Sequence, residues 1–237
     1  MADFEITPAS TSPLTSAAAE RVTAFLRKVY GWMFVGLGIT AFVAYAVAGS
    51  SSLVHTIASN HLLFLVLVFG ELGLVFYLSA RAARLEPAAA AGLFLLYSAL
   101  NGVTLSLILL MYTGASIATT FFVTAGMFGA MALFGSTTKR SLAGVGQFLF
   151  MGLIGVVLAS VVGLFWHSEA LQFLISVVGV IVFTGLAAWD AQRLKQMAVT
   201  VPESQLGSYA VVGALSLYLD FLNLFLILLR FTGGRRD

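Results

Sequence analysis

Residues 215–230 read LSLYLDFLNLFLILLR. The segment is almost pure hydrocarbon, yet Asp220 lies near its middle, Asn223 follows three residues on, and Arg230 closes it. In water such a run is the buried heart of a soluble domain, and in lipid it is a spanning helix. The rest of the chain decides between these. Of 237 residues, 60% are hydrophobic and 9% charged, and the mean hydropathy is +1.01. Soluble domains carry about 25% charged residues. Twelve Lys and Arg with ten Asp and Glu cannot build a water-facing surface around a chain this long. The class is integral membrane, and the twenty phenylalanines fit it.

Seven runs approach the roughly 20 apolar residues that a spanning helix needs. They fall at about 29–49, 60–80, 88–111, 115–135, 144–166, 170–190 and 208–231. Lipid admits helices or closed barrels, because every backbone polar group must be satisfied internally. These runs are continuous rather than alternating, so the expected fold is all-α, a seven-transmembrane-helix bundle with antiparallel neighbours. Residues 1–20, rich in Ser, Thr, Ala and Pro, read as a disordered N-terminal tail with no cleavable signal, and 21–237 as one membrane domain. The absence of cysteine removes disulfides, thiolate nucleophiles and Cys-based metal sites. A formal charge of +2 gives no reason to expect nucleic acid.

Lys and Arg mark one side of the membrane. Arg21, Arg27 and Lys28 precede the first run, Arg81 and Arg84 follow the second, Lys139 and Arg140 the fourth, Arg193 and Lys195 the sixth. The intervening loops, near 50–60, 112–115 and 167–170, have neither residue. The alternation predicts a cytoplasmic N-terminus in a bacterial inner (plasma) membrane. Arg235 and Arg236 sit on the wrong side for a seventh crossing. The length of the last run still favours a full crossing over a turn back.

The informative residues are the polar ones inside the runs. With about 100° per residue and Asp220 at zero, Gly213 falls near +20°, Ser216 near −40°, Asn223 near −60° and Arg230 near −80°. This polar stripe is expected to point into the bundle, with Leu, Phe and Ile opposite. Glu71 sits within LVFGELGLVFYL, and Asp190 within FTGLAAWDAQRLK one turn before Arg193 and Lys195. In FLLYSALNGVTLS, the residues Tyr97, Ser98, Asn101 and Thr104 share a face. An ionised side chain at a helix centre costs about 2.5–3.5 kcal/mol on insertion scales, so these acids need partners or water. His55, His61 and His167 lie in or beside loops without a shared motif, and no cofactor or stable metal centre is expected.

A short joint at 191–207 makes the sixth and seventh spans neighbours, which lets Asp190 and Asp220 approach each other. Depth is the difficulty, because Asp190 stands near the end of its apolar run and Asp220 well inside its own. The two meet if the sixth helix continues toward Lys195 and the seventh begins late. Two close carboxylates in low dielectric share a proton rather than both ionise. Such a pair is a proton sensor, a cation site or a catalytic dyad. The catalytic option is weak. Intramembrane aspartyl proteases carry GxGD and Pro-Ala-Leu elements, whereas here the sequence is LYLD, Leu217 to Asp220. No GxSx motif falls in a span for a rhomboid-type protease. Retinal would need a lysine in the last helix, and the lysines are Lys28, Lys139 and Lys195. An enzyme is therefore not expected.

Three stretches, in this order and spacing, carry a family resemblance: LYSALNGVTLSLILLMYTGASIATTFFVTAGMFGAMALFGSTTKRSLAGVGQFLFMGLIGVVLAS at 96–160, TGLAAWDAQRLK at 184–195 and YLDFLNLFLILLRF at 218–231. From about Arg21 to Phe231 the chain resembles a bacterial member of the Bax inhibitor (transmembrane Bax inhibitor motif) family. The resemblance implies a last helix at the centre of six others. It also implies a pH-sensitive calcium leak gated by an aspartate pair, matched by Asp190 and Asp220, which would also be the transient calcium ligands. An ionic latch between the second and seventh helices is matched by Glu71 and Arg230. Asn101, Ser216 and Asn223, read from the helical faces and not from the family, complete the expected polar core. The implied partners are the lipid bilayer, protons and calcium ion. The alternative is a non-transporting regulator of other membrane proteins, such as a membrane-bound protease. One departure concerns the basic pair Lys139-Arg140, which Ser141 follows where many bacterial relatives have an acid.

Overall fold

The computed structural model describes residues 13–166 and 168–234. Among the described residues eight α-helices follow one another: α1 (Pro13–Ala48), α2 (Ser51–Ser59), α3 (His61–Arg81), α4 (Pro87–Leu109), α5 (Gly114–Thr137), α6 (Ala143–Phe165), α7 (Glu169–Thr200) and, after a 3-10 turn at Glu203–Gln205, α8 (Leu206–Thr232). All but α2 are long and apolar enough to cross a membrane. There is no β-strand among the described residues. α1 begins at Pro13, ahead of the boundary expected at Arg21, and the expected tail's residues 1–12 lie outside the described residues.

Local chemistry sets the helix starts. At the end of the bundle whose interhelical loops lack Lys and Arg, side-chain oxygens accept the orphan N–H groups of a helix's first turn. Asn60 Oδ1 accepts from Leu63 N at 3.0 Å, Thr113 Oγ1 from Ser116 N at 3.3 Å, and Ser168 Oγ from Leu171 N at 3.4 Å. At the basic end Pro87 opens α4, where its missing N–H is no loss.

α8 is the axis. It packs on α1, α3, α4, α5 and α7, while α6 joins the bundle through α7. Leu215, Leu217, Tyr218, Leu224 and Leu229 of α8 are fully buried. The helix is enclosed on nearly every side, so its apolar face meets protein and not lipid. The chain crosses completely on α8. Gly207 starts it against Pro87 at the basic end, and at the other end Gly234 O accepts from Thr113 N at 3.1 Å while Gly234 N donates to Ser116 Oγ at 2.9 Å. Arg235 and Arg236 lie outside the described residues.

α7 does not stop where its apolar run stops. Past Asp190 it continues to Thr200, with Ala191, Leu194 and Ala198 buried and Arg193, Lys195 and Gln196 exposed. This is an amphipathic extension at helical period. It eases the depth difficulty, because Asp190 stands well within its helix, although α8 begins at Leu206 and not late as the approach of the two acids was expected to need.

Candidate functional site

Two polar clusters flank α8. The first joins it to α7. A side chain at Gly213 would run into Leu194, and one at Gly179 would run into Ile227. These close approaches fix the antiparallel register. Asp190 falls opposite Ser216 and Leu217, and Asp220 lies about one helical turn deeper. Each Cα–Cβ bond tilts toward its own helix N-terminus, and the two N-termini are at opposite ends. Asp190 therefore leans inward and Asp220 leans back toward the basic end, which brings the carboxylates into electrostatic range of each other. Both are buried, at 8% and 6% exposure. Asp190 Oδ1 is 3.7 Å from Arg193 Nη1, and that guanidinium stands 5.5 Å from the Trp189 ring centroid, a distance at which cation–π attraction acts. Asp220 Oδ2 is buried with no hydrogen-bond partner. Beside Asp190 is a cavity of about 20 Å³ lined also by Arg193, Leu194, Met197, Val212, Gly213 and Ser216, room for about one water.

The second cluster lies on the opposite face of α8, around Tyr218. Its hydroxyl is 2.6 Å from Thr40 Oγ1 and donates to Asn101 Oδ1 at 3.4 Å. Its ring meets Phe94 and Tyr97 edge-on. Thr40 Oγ1 also reaches Ser98 O at 2.9 Å. Asn101 Nδ2 donates to Glu71 Oε2 at 3.3 Å, and Thr104 Oγ1 donates to Glu71 Oε1 at 3.0 Å. Four helices, α1, α3, α4 and α8, thus share one polar network. The stripe Tyr97, Ser98, Asn101 and Thr104 takes part in it along its whole length.

Glu71 and Arg230 are not brought together. Arg230 is exposed at the far end of α8 and donates to Gln172 Oε1 at 3.2 Å, whereas Glu71 is held in mid-span by α4. Among the described residues the one ion pair is Arg193–Asp190, so in place of the expected latch Glu71 accepts hydrogen bonds from the uncharged side chains of Asn101 and Thr104. The α8 stripe also needs correction. Gly213 and Asp220 face protein, but Ser216 and Asn223 are half-buried and Arg230 exposed, in line with half-buried Val212, Leu219 and Leu226. This is the flank of α8 that the other helices cover least. Asn223 Nδ2 donates back to Leu219 O at 2.8 Å and bridges to no other helix. Ser216 meets Asp190 across the small cavity.

Three contributors were not singled out from sequence: Tyr218, Thr40 and Gln192. Gln192 Nε2 donates to Arg140 O at 2.8 Å and its Oε1 accepts from Leu142 N at 2.8 Å, tying the α5–α6 loop to α7 two residues from Asp190. Gln192 lies one helical turn after Ala188, the residue against which Gly135 of α5 packs, so a face already turned to α5 carries its amide to the α5–α6 loop. Two carboxylates fall well short of the 6–8 oxygens that calcium takes, and no group of three or more His, Cys, Asp or Glu gathers among the described residues. His167 lies outside them.

A seven-span helical bundle with a buried aspartate pair on its last two helices defines the class, a multi-pass membrane protein. The family model described as "Inhibitor of apoptosis-promoting Bax1" matches residues 22–237, and the chain belongs to this Bax inhibitor family. It is 52% identical to "Inner membrane protein YbhL" of Escherichia coli (strain K12) over 215 residues, 90% of this chain and 92% of that protein. It is 40% identical to an uncharacterized membrane protein of Streptococcus pyogenes serotype M1 over 216 residues, 90% and 93% of the two chains. It is 38% identical to "Uncharacterized protein RP147" of Rickettsia prowazekii over 238 residues, the full length of both.

Proposed function

We propose that the protein is a pH-sensitive cation leak, with calcium as the permeant ion, gated by Asp190 and Asp220. The observation that carries this reading is the buried, unpartnered Asp220 Oδ2 on a carboxyl group within electrostatic range of Asp190. A buried polar atom without a partner is costly, and a proton shared with Asp190 would satisfy it by a charge-assisted hydrogen bond. Losing that proton leaves two anions in a low dielectric. Their repulsion drives the basic-end portions of α7 and α8 apart and frees hard oxygen ligands for a cation. The 20 Å³ cavity is too small for a hydrated ion, so passage requires this separation. Flux then rises with pH on the side that reaches the pair. The chain performs no covalent chemistry in this reading.

The N-terminus is proposed to be cytoplasmic and the membrane a bacterial inner membrane. Support comes from the alternation of basic loops and from the printed name of the Escherichia coli relative. Calcium flux into proteoliposomes, measured against pH, tests the mechanism. Asp190→Asn and Asp220→Asn each flatten the pH response, and unchanged titration curves in both variants remove the pair as sensor.

The small volume of the same cavity favours a second reading, a non-transporting regulator that binds other membrane proteins. Absence of flux in the purified protein, together with a stoichiometric partner on co-purification, selects it.

A further inference from the structure

The geometry points to a binding site for an anionic glycerophospholipid on the seam between α1 and α5. Two adjoining cavities form it. The inner one is an apolar groove of about 380 Å³ whose walls include Tyr30 and Met33 of α1 and Ala125 and Gly129 of α5, with Phe221 of α8 as its floor. It opens sideways between exposed Phe34 and Leu133, where acyl chains lie. The outer one, about 340 Å³, is at the basic end, and Lys139, Arg140 and Lys195 line it. The two meet at consecutive residues of α5, since Gly135 lines the basic cavity and Ser136 the groove. On α1, Val22 lines the first, and Tyr30 and Met33 the second.

Charge complementarity selects the occupant. No Asp or Glu lines the outer cavity, so its three cations are not neutralised there. The loop that carries two of them is held in place by Gln192. Lys195 Nζ donates to Ser136 O at 3.0 Å, which places its ammonium at the junction. The Thr138 and Ser141 hydroxyls accept from Arg140 N and Ala143 N, leaving their protons to donate. Cations and hydroxyls around one concavity suit a phosphate, and basic pockets between spanning helices on the cytoplasmic side, where the orientation proposed above puts this end, bind anionic head groups. The groove beyond takes a chain of methylenes. A free anion would leave that groove unused, and a second apolar helix would leave the three charges unused.

The test is native mass spectrometry of the full chain in detergent, with phosphatidylglycerol or phosphatidylcholine added. Phosphatidylglycerol is expected to be retained over phosphatidylcholine. Retention should fall about fivefold for each charge removed in Lys139→Gln, Arg140→Gln and Lys195→Gln. The control Arg27→Gln/Arg81→Gln/Arg84→Gln removes three exposed cations at the same end and is expected to leave retention within twofold. Gly129→Leu, where a new side chain meets open space, should fold normally and lower retention severalfold by filling the groove. Equal loss in the control overturns the site in favour of general electrostatic attraction. Displacement of the lipid by excess inorganic phosphate, or retention unaffected by Gly129→Leu, overturns it in favour of a bare anion site.

Discussion

The Tyr218 hydroxyl on α8 and the Thr40 hydroxyl on α1 stand 2.6 Å apart in the middle of the bundle, with Asn101 on the tyrosine's other side. In lipid a hydroxyl without a partner has no water to turn to, so this contact orients α1, α4 and α8 around one another. Tyr218→Phe keeps the ring contacts and removes the hydroxyl. It is expected to cost about 1 kcal/mol, in the range of interhelical hydrogen bonds in membranes. Tyr218→Ala also removes the packing of a fully buried ring and should cost about 3–5 kcal/mol. Thermal or denaturant unfolding in detergent reads both.

Glu71 and Arg230 contribute independently. Glu71→Gln keeps the acceptor for Thr104, and Arg230→Gln alters an exposed end. In a double-mutant cycle on stability the two are expected to add within about 0.3–0.5 kcal/mol. A coupling well above 1 kcal/mol would restore the latch.

Gly213 has no room for a side chain because Leu194 lies over it. Gly213→Val forces α7 and α8 apart at the level of the small cavity. Overpacking of this kind costs about 1–3 kcal/mol. In the proposed mechanism it also weakens proton sharing, so basal calcium flux should rise at acidic pH as stability falls.

Asp220→Asn removes a buried group capable of charge while keeping its shape. The wild-type protein is expected to lose stability as pH rises and the shared proton leaves, because two anions then face each other in low dielectric. The variant should be flat over the same range and more stable than wild type at its upper end. Melting temperature measured against pH in detergent checks the sign. A parallel slope in both proteins excludes Asp220 as its source.

Gln192→Ala deprives Leu142 N and Arg140 O of their partners and should free the α5–α6 loop. Faster hydrogen exchange across 138–142 is the expected readout, with a loss of about 1–3 kcal/mol if those groups stay buried. Gln192→Glu keeps the acceptor for Leu142 N and should protect Leu142 more than the alanine variant does.

The seven crossings and the neighbouring of the helices that carry Asp190 and Asp220 were legible in the sequence, because length, apolarity and short joints determine them, while the central last helix was implied by the family resemblance. Three features were not. The helical wheel orders Ser216, Asn223 and Arg230 relative to Asp220, but says nothing about where the wheel points when both faces are covered. The stripe thus came to rest on the more open flank. The α7 extension was concealed because hydropathy falls after Asp190 while helical period persists through Leu194 and Ala198. The partner of Glu71 depended on which neighbour lies alongside α3 at mid-depth. Asn101 and Thr104 of α4 hold that place, whereas the family resemblance pointed to an arginine elsewhere.

The enclosure of α8 also bears on the order in which the molecule is made. Every helix that surrounds it emerges from the ribosome earlier, since α8 follows α1 through α7 in the chain and synthesis runs from the N-terminus. The preceding spans must wait in the bilayer as an unfinished ring whose inward surfaces have no permanent occupant. Assembly is completed by a late insertion, and a nascent chain arrested before Leu206 would hold the wall of the barrel without its pillar.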